Sequence, residues 1–407
     1  MSGTLLVVGT GGRAYREYLL ASLATRYAVH LLTGAEPDWE RPYLRGWTVL
    51  DMADTVGAGD MVTAARAVHP DGVLAWDEAR VLQAAKVAAA LGLPGGDVEA
   101  VLACRDKART RAALAAAGVP QPAYALATSP AGALAAAERI GWPVVLKPRA
   151  MAASLGVVRA DTPAQLAERF PFARDITLPG AWRYPEVLVE EFLTGPEISV
   201  DAAVHAGVAR LLCVARKEVG WAPYFEEVGH VVDGADPLLA DPSLLEVLQG
   251  ALTALGYADG VVHAEFKLTA AGPKVVEVNA RLGGDLIPYL GLRATGVDPG
   301  LAAGSVACGR PPQLLPDRKL VGAVRFFYPE RDGTRIGSVT FDAAALGALA
   351  AVDRAVPLAE PGDVVSPPPA GTLFGRVAFA TAVAGTAAEC AAALDGAAAA
   401  LRIQEVT

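Results

Sequence analysis

The sequence predicts an α/β domain followed by α+β lobes. Residues 4–32 read as a strand, a glycine-rich loop, a helix and a second strand, and strand–helix alternation continues to about residue 103. Residues 261–285, VVHAEFKLTAAGPKVVEVNARLGGD, read as two alternating strands around a turn that holds Gly272 and Pro273. The tail returns to strands and closes on a helix, Ala387–Leu401.

The opening run TLLVVG ends in Gly9-Thr10-Gly11-Gly12-Arg13. A helix over Ala14–Ala24 and a strand over Ala28–Leu32 follow, the start of a doubly wound parallel sheet. The loop could cradle a phosphate at the helix N-terminus, but it lacks the full G-x-G-x-x-G spacing and a tight turn explains it as well. The alternation continues with Thr48–Leu50, Ala58–Val68, Gly72–Ala75 and Glu78–Leu91. Cys104-Arg105-Asp106-Lys107 opens a helix over Ala108–Ala117, stopped by Gly118-Val119-Pro120. A lysine at a helix start opposes the dipole, and a bound polyphosphate would relieve Lys107 where solvent otherwise must. After a helix over Ala133–Ile140, the strand Val144–Pro148 carries Lys147 at the end of an apolar run, where it needs an anionic partner. The small-residue stretch Arg149–Val158, with Ser154 and Gly156, suits a loop that closes its N–H groups over phosphates, or a plain hairpin.

Val187–Asp201 reads as strand, Gly-Pro turn and strand, in the manner of a hairpin. Within it, Glu190-Glu191-Phe192-Leu193 offers backbone groups and apolar surface for an adenine ring, and Glu197 is placed to reach a ribose. Residues 211–232 read as a loop between strands. It is dense in Lys217, Trp221, Tyr224, Phe225, Glu226, Glu227 and His230, groups that could grip a charged amino acid. In the 261–285 hairpin, a centre near Ala271 puts Glu265 across from Glu277 and His263 across from Asn279. Glu277, Asn279 and Arg281 share a face by period 2. Opposed carboxylates repel unless protonated or bridged by a cation, and a Glu, Glu, Asn oxygen set suits Mg²⁺. Asp298–Cys308 is helical, and Gly322–Phe327, Ile336–Phe341 and Arg376–Val383 are strands.

Composition bounds the function. The 407 residues allow two or three domains, and 53% hydrophobic content supplies a large core. No apolar stretch reaches the roughly 18 residues of a membrane span, and MSGTLLVVGTGG lacks the basic and apolar regions of a secretory signal. The net charge of −9 argues against a nucleic-acid partner. Four scattered cysteines without CxxC spacing read as free thiols in a reducing cytoplasm, and five lone histidines show no zinc spacing.

Taken in order, RDK at 105–107, VVLKP at 144–148, the small-residue loop, VEEFLTGPEISVD at 189–201, HAEF at 263–266 and EVNARLGGD at 277–285 resemble the ATP-grasp superfamily. The resemblance implies an N-terminal Rossmann-like domain over 1–103 and a small lobe with linker helices over 104–190. A large lobe with the metal and substrate site would span 191–312, and an α+β unit 313–407. It implies that Lys107 and Lys147 hold ATP phosphates under the loop of Ser154. Glu190, Glu191, Phe192 and Leu193 would receive adenine, and Glu197 the ribose. Glu265, Glu277 and Asn279 would bind two Mg²⁺ ions, with Mn²⁺ as an alternative. Lys147 and Arg281 would be catalytic, Arg281 stabilising an acyl phosphate and the tetrahedral intermediate. The run from Asn279 to Asp285, with Tyr224, Phe225, Glu227, Gly229 and His230, is similar to the L-amino acid ligases, which join two amino acids into a dipeptide. By that similarity Glu227 binds an amino group, and His230, Gly284 and Arg281 line the same substrate pocket. Asp285 stands where some relatives carry a bulky aromatic residue. The implied partners are small amino-acid substrates, with neither nucleic acid nor membrane; relatives are often dimers, and a homodimer stays open. Other readings are a ligase for a non-amino-acid carboxylate or a carrier protein, a non-catalytic ATP-binding regulator, and a biotin-dependent carboxylase. The carboxylase is disfavoured because no Gln-Val-Glu-His run follows Arg281. Alanine richness points to a GC-rich genome and to specialised biosynthesis, antibiotics included.

Overall fold

A computed structural model describes residues 3–53, 57–177 and 183–406. The chain begins with β1 (Thr4–Val8), α1 (Arg13–Ala24), β2 (Ala28–Thr33), β3 (Gly46–Val49), α2 (Gly59–Val68), β4 (Gly72–Leu74), α3 (Val81–Leu91) and α4 (Val98–Arg105). The four strands form a parallel sheet in the order β3-β2-β1-β4. Alternation along β1 explains its two covered faces. Leu5 and Val7 pack with α1 through Leu19, Leu20 and Leu23, whereas Leu6 and Val8 pack with α2 and α3. The order reverses at β1, with β2 on one side and β4 on the other. The crevice beyond the C-terminal ends of β1 and β4 is therefore the switch point of this sheet.

Next, α5 (Lys107–Ala116) leads into a small lobe of β5 (Tyr124–Ala127), α6 (Pro130–Ile140), β6 (Val144–Pro148), β7 (Val158–Ala160), α7 (Pro163–Asp175) and β8 (Val187–Glu191), with sheet order β5-β8-β6-β7. The large lobe is built from β9 (Glu197–His205), β10 (Val208–Gly220), β11 (Glu226–Asp233), α8 (Pro242–Leu255), β12 (Gly260–Thr269), β13 (Gly272–Asn279), α9 (Ile287–Thr295) and α10 (Pro299–Ala307). The tail adds β14 (Val321–Phe327), β15 (Thr334–Phe341), α11 (Ala343–Gly347), β16 (Val352–Pro357), β17 (Val364–Val365), β18 (Ala378–Ala384), α12 (Ala387–Ala400) and β19 (Leu401–Glu405).

Two expectations change. The run 187–201 is no hairpin, because β8 pairs with β5 and β6 in the small lobe while β9 pairs with β10 and β12 in the large one. Its Gly-Pro turn is the crossing between lobes. The stretch 211–232 is no loop either: β10 and β11 pair antiparallel, with Lys217 opposite His230. Its charged residues alternate along strands whose polar face is turned into a site. β14, β18 and β16 continue the large sheet, whose order is β13-β12-β9-β10-β11-β14-β18-β16, and only β17-β15-β19 form a separate sheet.

One buried ion pair ties these parts together. Arg111 on α5 donates to both oxygens of Glu190 on β8, at 2.7 and 3.2 Å, and to the carbonyl oxygens of Val275 and Val276 on β13. Both side chains are almost fully buried. Burial pushes the Glu190 carboxyl up, but Arg111 and then Lys147 outweigh it and bring it down to about 2. Removing one partner of a buried pair costs about 3–5 kcal/mol, because the other charge stays behind. Arg111→Ala is therefore expected to lower the urea midpoint by an amount equivalent to about 3–5 kcal/mol. An unchanged midpoint would mean that the lobes are held together by other contacts.

Candidate active site

The predicted pairing at the central hairpin is present: His263 faces Asn279 and Glu265 faces Glu277. The tip lies at Ala270-Ala271, half a residue off the expected centre. A bulge between Glu265 and Phe266 restores the register and leaves Val276 unpaired. Pro273 sits inside β13, opposite Leu268, which is tolerated because β13 is the edge of its sheet.

A cleft of about 870 Å³, open solvent included, lies between the lobes. It is lined by Lys107, Lys147, Ser154, Glu190, Glu191, Phe192, Leu193, Glu197, Glu227, Glu265, Glu277, Asn279 and Arg281. Elements and loops from across the chain thus bring most of the predicted residues to one place. His230 and Gly284 stand apart from this lining. His230 is fully buried behind Glu227, its Nε2 3.2 Å from Glu227 Oε2 and 3.5 Å from Asp285 Oδ2. Around Gly284 there is open space where a Cβ would stand, whereas a Cβ on Gly283 would press on His263 and Asp201.

Each charge in the cleft has a counter-charge. Lys107 Nζ lies 3.1 Å from Glu277 Oε1 and donates to the Met151 carbonyl oxygen. Lys147 Nζ lies 2.6 Å from Glu190 Oε2. The Glu190 side chain is thus taken up by Arg111 and Lys147, and the Glu191 carboxylate accepts from the Ala123 N–H and from Lys274. With both side chains engaged, what these two residues present to the cleft is backbone. The apolar part of that end comes from Val145, Phe192, Leu193 and Val276. Ser154 sits in the loop between β6 and β7, where Ala153 and Ser154 both have positive φ of 55°. Gly156 is needed there, since a Cβ would stand 2.6 Å from Ile176.

Lys217 is the residue to which the sequence reading gave no role of its own. Its ammonium is almost wholly buried and lies 3.0 Å from Glu197, 2.7 Å from Glu227 and 3.0 Å from Glu265. Burial pulls the ammonium toward neutrality, yet Glu227, Glu265 and Glu197 together raise its pKa well above the ordinary lysine value. Burial likewise raises the Glu265 carboxyl, and Lys217 and His263 bring it well below the usual range. His263 donates from Nδ1 to Asp201 Oδ1 at 2.6 Å, and its Nε2 lies 3.4 Å from Glu265 Oε1. Burial lowers its pKa, but Asp201 and then Glu265 carry it up to about 9. Asp201 also accepts the Gly283 N–H, so one carboxylate positions both the histidine and the loop that follows Arg281.

Arg281 is fixed from the N-terminal domain. Its Nε donates to Glu78 Oε2 at 2.7 Å, while Glu78 Oε1 lies 3.2 Å from Arg105 Nε. Burial lowers the Arg281 pKa, and Glu78 more than offsets this. Behind the cleft, Arg376 donates to both Asp285 oxygens at 2.6 and 2.8 Å and to the Glu227 carbonyl oxygen, with its Cζ 3.7 Å above the Phe326 ring. Neither Glu78 nor Arg376 is marked by any motif, because each meets its partner across about 90 residues or more.

The donor set fits a metal nucleotide. Glu265, Glu277 and Asn279 present hard oxygens of the kind Mg²⁺ takes, with two lysines and an arginine beside them for phosphate oxygens. An ATP-grasp domain model matches residues 140–288. Phosphoribosylamine–glycine ligase of Streptomyces coelicolor is 30% identical over 294 residues, 69% of this chain and 67% of that protein. The chain belongs to the ATP-grasp superfamily. Human carnosine synthase 1 is 30% identical over 339 residues, 76% of this chain and 40% of that protein. The chain spans about half the length of several curated relatives it matches, 54% in one case and 40% in carnosine synthase 1. Among solved structures, the L-amino acid ligase from Bacillus licheniformis superposes with a TM-score of 0.81 at 22% identity, over 99% of each chain, and so shares the fold. Among the described residues no helix is long and apolar enough to cross a membrane.

Two outcomes test these electrostatics. Lys217→Met leaves three crowded carboxylates without their cation and is expected to cost about 3–5 kcal/mol at pH 8. Protonation of the carboxylates should recover much of that loss on acidification to about pH 5, so melting curves at the two pH values should converge on wild type only at the lower. The second concerns Glu226, which burial raises to about 7 against the pull of Tyr328 and Arg376. Its folded pKa exceeds the unfolded value of about 4.3, so the folded state holds the extra proton between them and stability falls as pH rises through about 7. Glu226→Gln should flatten the melting temperature between pH 5 and pH 8; an unchanged slope would show that Glu226 does not titrate there.

Proposed function

We propose that the protein is an ATP-dependent, ADP-forming carboxylate–amine ligase that joins two amino acids into a dipeptide or a similar amide. The observation that carries this reading is a single cleft holding Lys107, Lys147, Glu265, Glu277, Asn279 and Arg281 beside the Glu227–His230 pair. The first six suit phosphoryl transfer, and the last two suit an amino-acid head group. Two relatives support it by their names: carnosine synthase 1, and alanine–anticapsin ligase of Bacillus subtilis, which is 26% identical over 325 residues.

In this reading Lys107 and Lys147 exchange their carboxylate partners for phosphate oxygens when ATP enters. Ser154 and its loop close backbone N–H groups over the same phosphates. Phe192 and Leu193 flank the adenine, and Glu197, held by Lys217 and Lys267, receives the ribose hydroxyls. Glu265, Glu277 and Asn279 would hold two Mg²⁺ ions, which would neutralise charge spreading over the transferring phosphoryl group. An oxygen of the substrate carboxylate attacks the γ-phosphorus, the bond to the ADP oxygen breaks, and an acyl phosphate forms. The second substrate's neutral amine then attacks the carbonyl carbon. The C–N bond forms, the C–O bond to phosphate breaks, and the amine's proton passes to solvent or to the leaving phosphate. Arg281, steadied by Glu78, stands where it can stabilise the negative charge of both steps. Glu227 and His230 orient the head group of the activated amino acid.

A matrix of paired amino acids with ATP and Mg²⁺, scored for phosphate and resolved by mass spectrometry, should give ADP, phosphate and a dipeptide for at least one pair. AMP and pyrophosphate in their place would overturn the reading. Glu277→Ala should abolish turnover; retained turnover would remove this carboxylate from the chemistry.

A further inference from the structure

The start of α1 carries a charge that the proposed chemistry has not used. Arg16 donates from Nη1 to the Gly283 carbonyl oxygen at 3.0 Å. Among the described residues no carboxylate lies within ion-pair distance of it; Asp201 and Asp77 act on it only from farther away. Asp201 is already engaged by His263 and the Gly283 N–H. The neighbouring cation is Arg281, and the two guanidiniums repel each other across Gly283. Glu78 is the carboxylate that serves this corner, and it is shared between Arg281 and Arg105. Arg16 is therefore bonded to a carbonyl oxygen and not to a carboxylate, unlike Lys107, Lys147 and Arg281 in the cleft. Close by, the Tyr18 hydroxyl is buried beside Arg16, whose positive charge works against the burial that raises the phenol's pKa.

This corner lies at the switch point, the place where open parallel sheets commonly take ligands. Arg16 follows β1 and Glu78 follows β4, the two strands that flank the switch point of the parallel sheet. The loops are tied together, with Trp76 Nε1 donating to the Thr10 carbonyl oxygen at 2.7 Å. The glycine-rich stretch from Gly9 to Gly12 leaves the first turn of α1 without a side-chain cap and without an acidic residue. An anion here would meet the Arg16 fork, the α1 N-terminus and the outer side of the Arg281 loop.

We infer that Arg16 binds the α-carboxylate of the amine-bearing second substrate, at the junction of the N-terminal domain with the Arg281–Asp285 loop. This rests on the amino-acid ligase reading and extends it. The activated carboxylate belongs beside the phosphates, inside Arg281. The attacking amine must approach from the opposite side, and its own carboxylate then points toward α1. Arg16 on that side recognises a free carboxylate and rejects an amine that lacks one.

The test separates the two half-reactions. Wild type, Arg16→Lys and Arg16→Ala are assayed with ATP, Mg²⁺ and each of the twenty L-amino acids, and each accepted amine is compared with its α-carboxamide. Hydroxylamine trapping reports the activated acid alone. Arg16→Ala is expected to raise the KM of the carboxylate acceptor at least tenfold, to leave that of the carboxamide within about twofold, and to leave hydroxamate formation unchanged. Arg16→Lys should recover part of the loss. Equal KM changes for acid and amide, an unchanged acceptor KM, or a parallel loss of hydroxamate would each overturn the inference. If Arg16→Ala does not fold, the wild-type preference for acid over amide and its reduction in Arg16→Lys decide the matter. If wild type forms neither hydroxamate nor ADP with any amino acid, the ligase reading itself fails, a result distinct from all of these.

Discussion

Carboxylates crowded into one cleft are the constraint around which this structure is arranged. Glu197, Glu227, Glu265 and Glu277 come from four different strands and meet on one concave surface. Left alone, such charges would take up protons or force the lobes apart. Lys217 answers three of them at once, and Lys107 answers the fourth. The ammonium of Lys217 thereby links the ribose, head-group and metal positions of the proposed reaction. It is a permanent cation in the middle of a site where further cations and phosphates would come and go.

The same economy governs the lobes. The hairpin of β10 and β11 belongs to the large sheet, yet its tip reaches the small lobe. Tyr224 bridges to Val158 and packs on Phe172, and the Arg159 N–H donates to the Pro223 carbonyl oxygen. Phe225 approaches Phe192 at 6.3 Å between ring centroids. The strand that carries Glu227 is thus fastened to the lobe that carries Lys147. Movement of one lobe would be felt at the head-group position without any separate relay.

Much of the site was legible because it is local. The opposition of Glu265 to Glu277 follows from alternation about a centre near Ala271, although in the structure a two-residue tip and a bulge together produce it. Lys107 and Lys147 stood out because each sets a charge where its local element disfavours one. The 187–201 run shows the limit of local reading. A Gly-Pro turn between two apolar strands looks like a hairpin, but the partners of those strands lie in separate lobes. Residues 211–232 were misread for the opposite reason, since charges on alternate positions of a strand look like a loop when the buried face they point into is not yet known.

By itself the sequence determined the chemical inventory, the parallel opening domain, the register of the central hairpin and the family pattern. These depend on spacing of a few residues, which covalent geometry converts directly into position. The tertiary structure alone decided which charges meet. Lys217 reaches Glu265 across 48 residues, Arg281 reaches Glu78 across 203 and Arg16 reaches Gly283 across 267. Such contacts are selected by packing of whole lobes and by the cost of leaving a buried charge without a partner, and no short-range pattern encodes them. In the central hairpin the two contributions join: the strand pairing is local, and the cations that make it tolerable come from elsewhere in the fold.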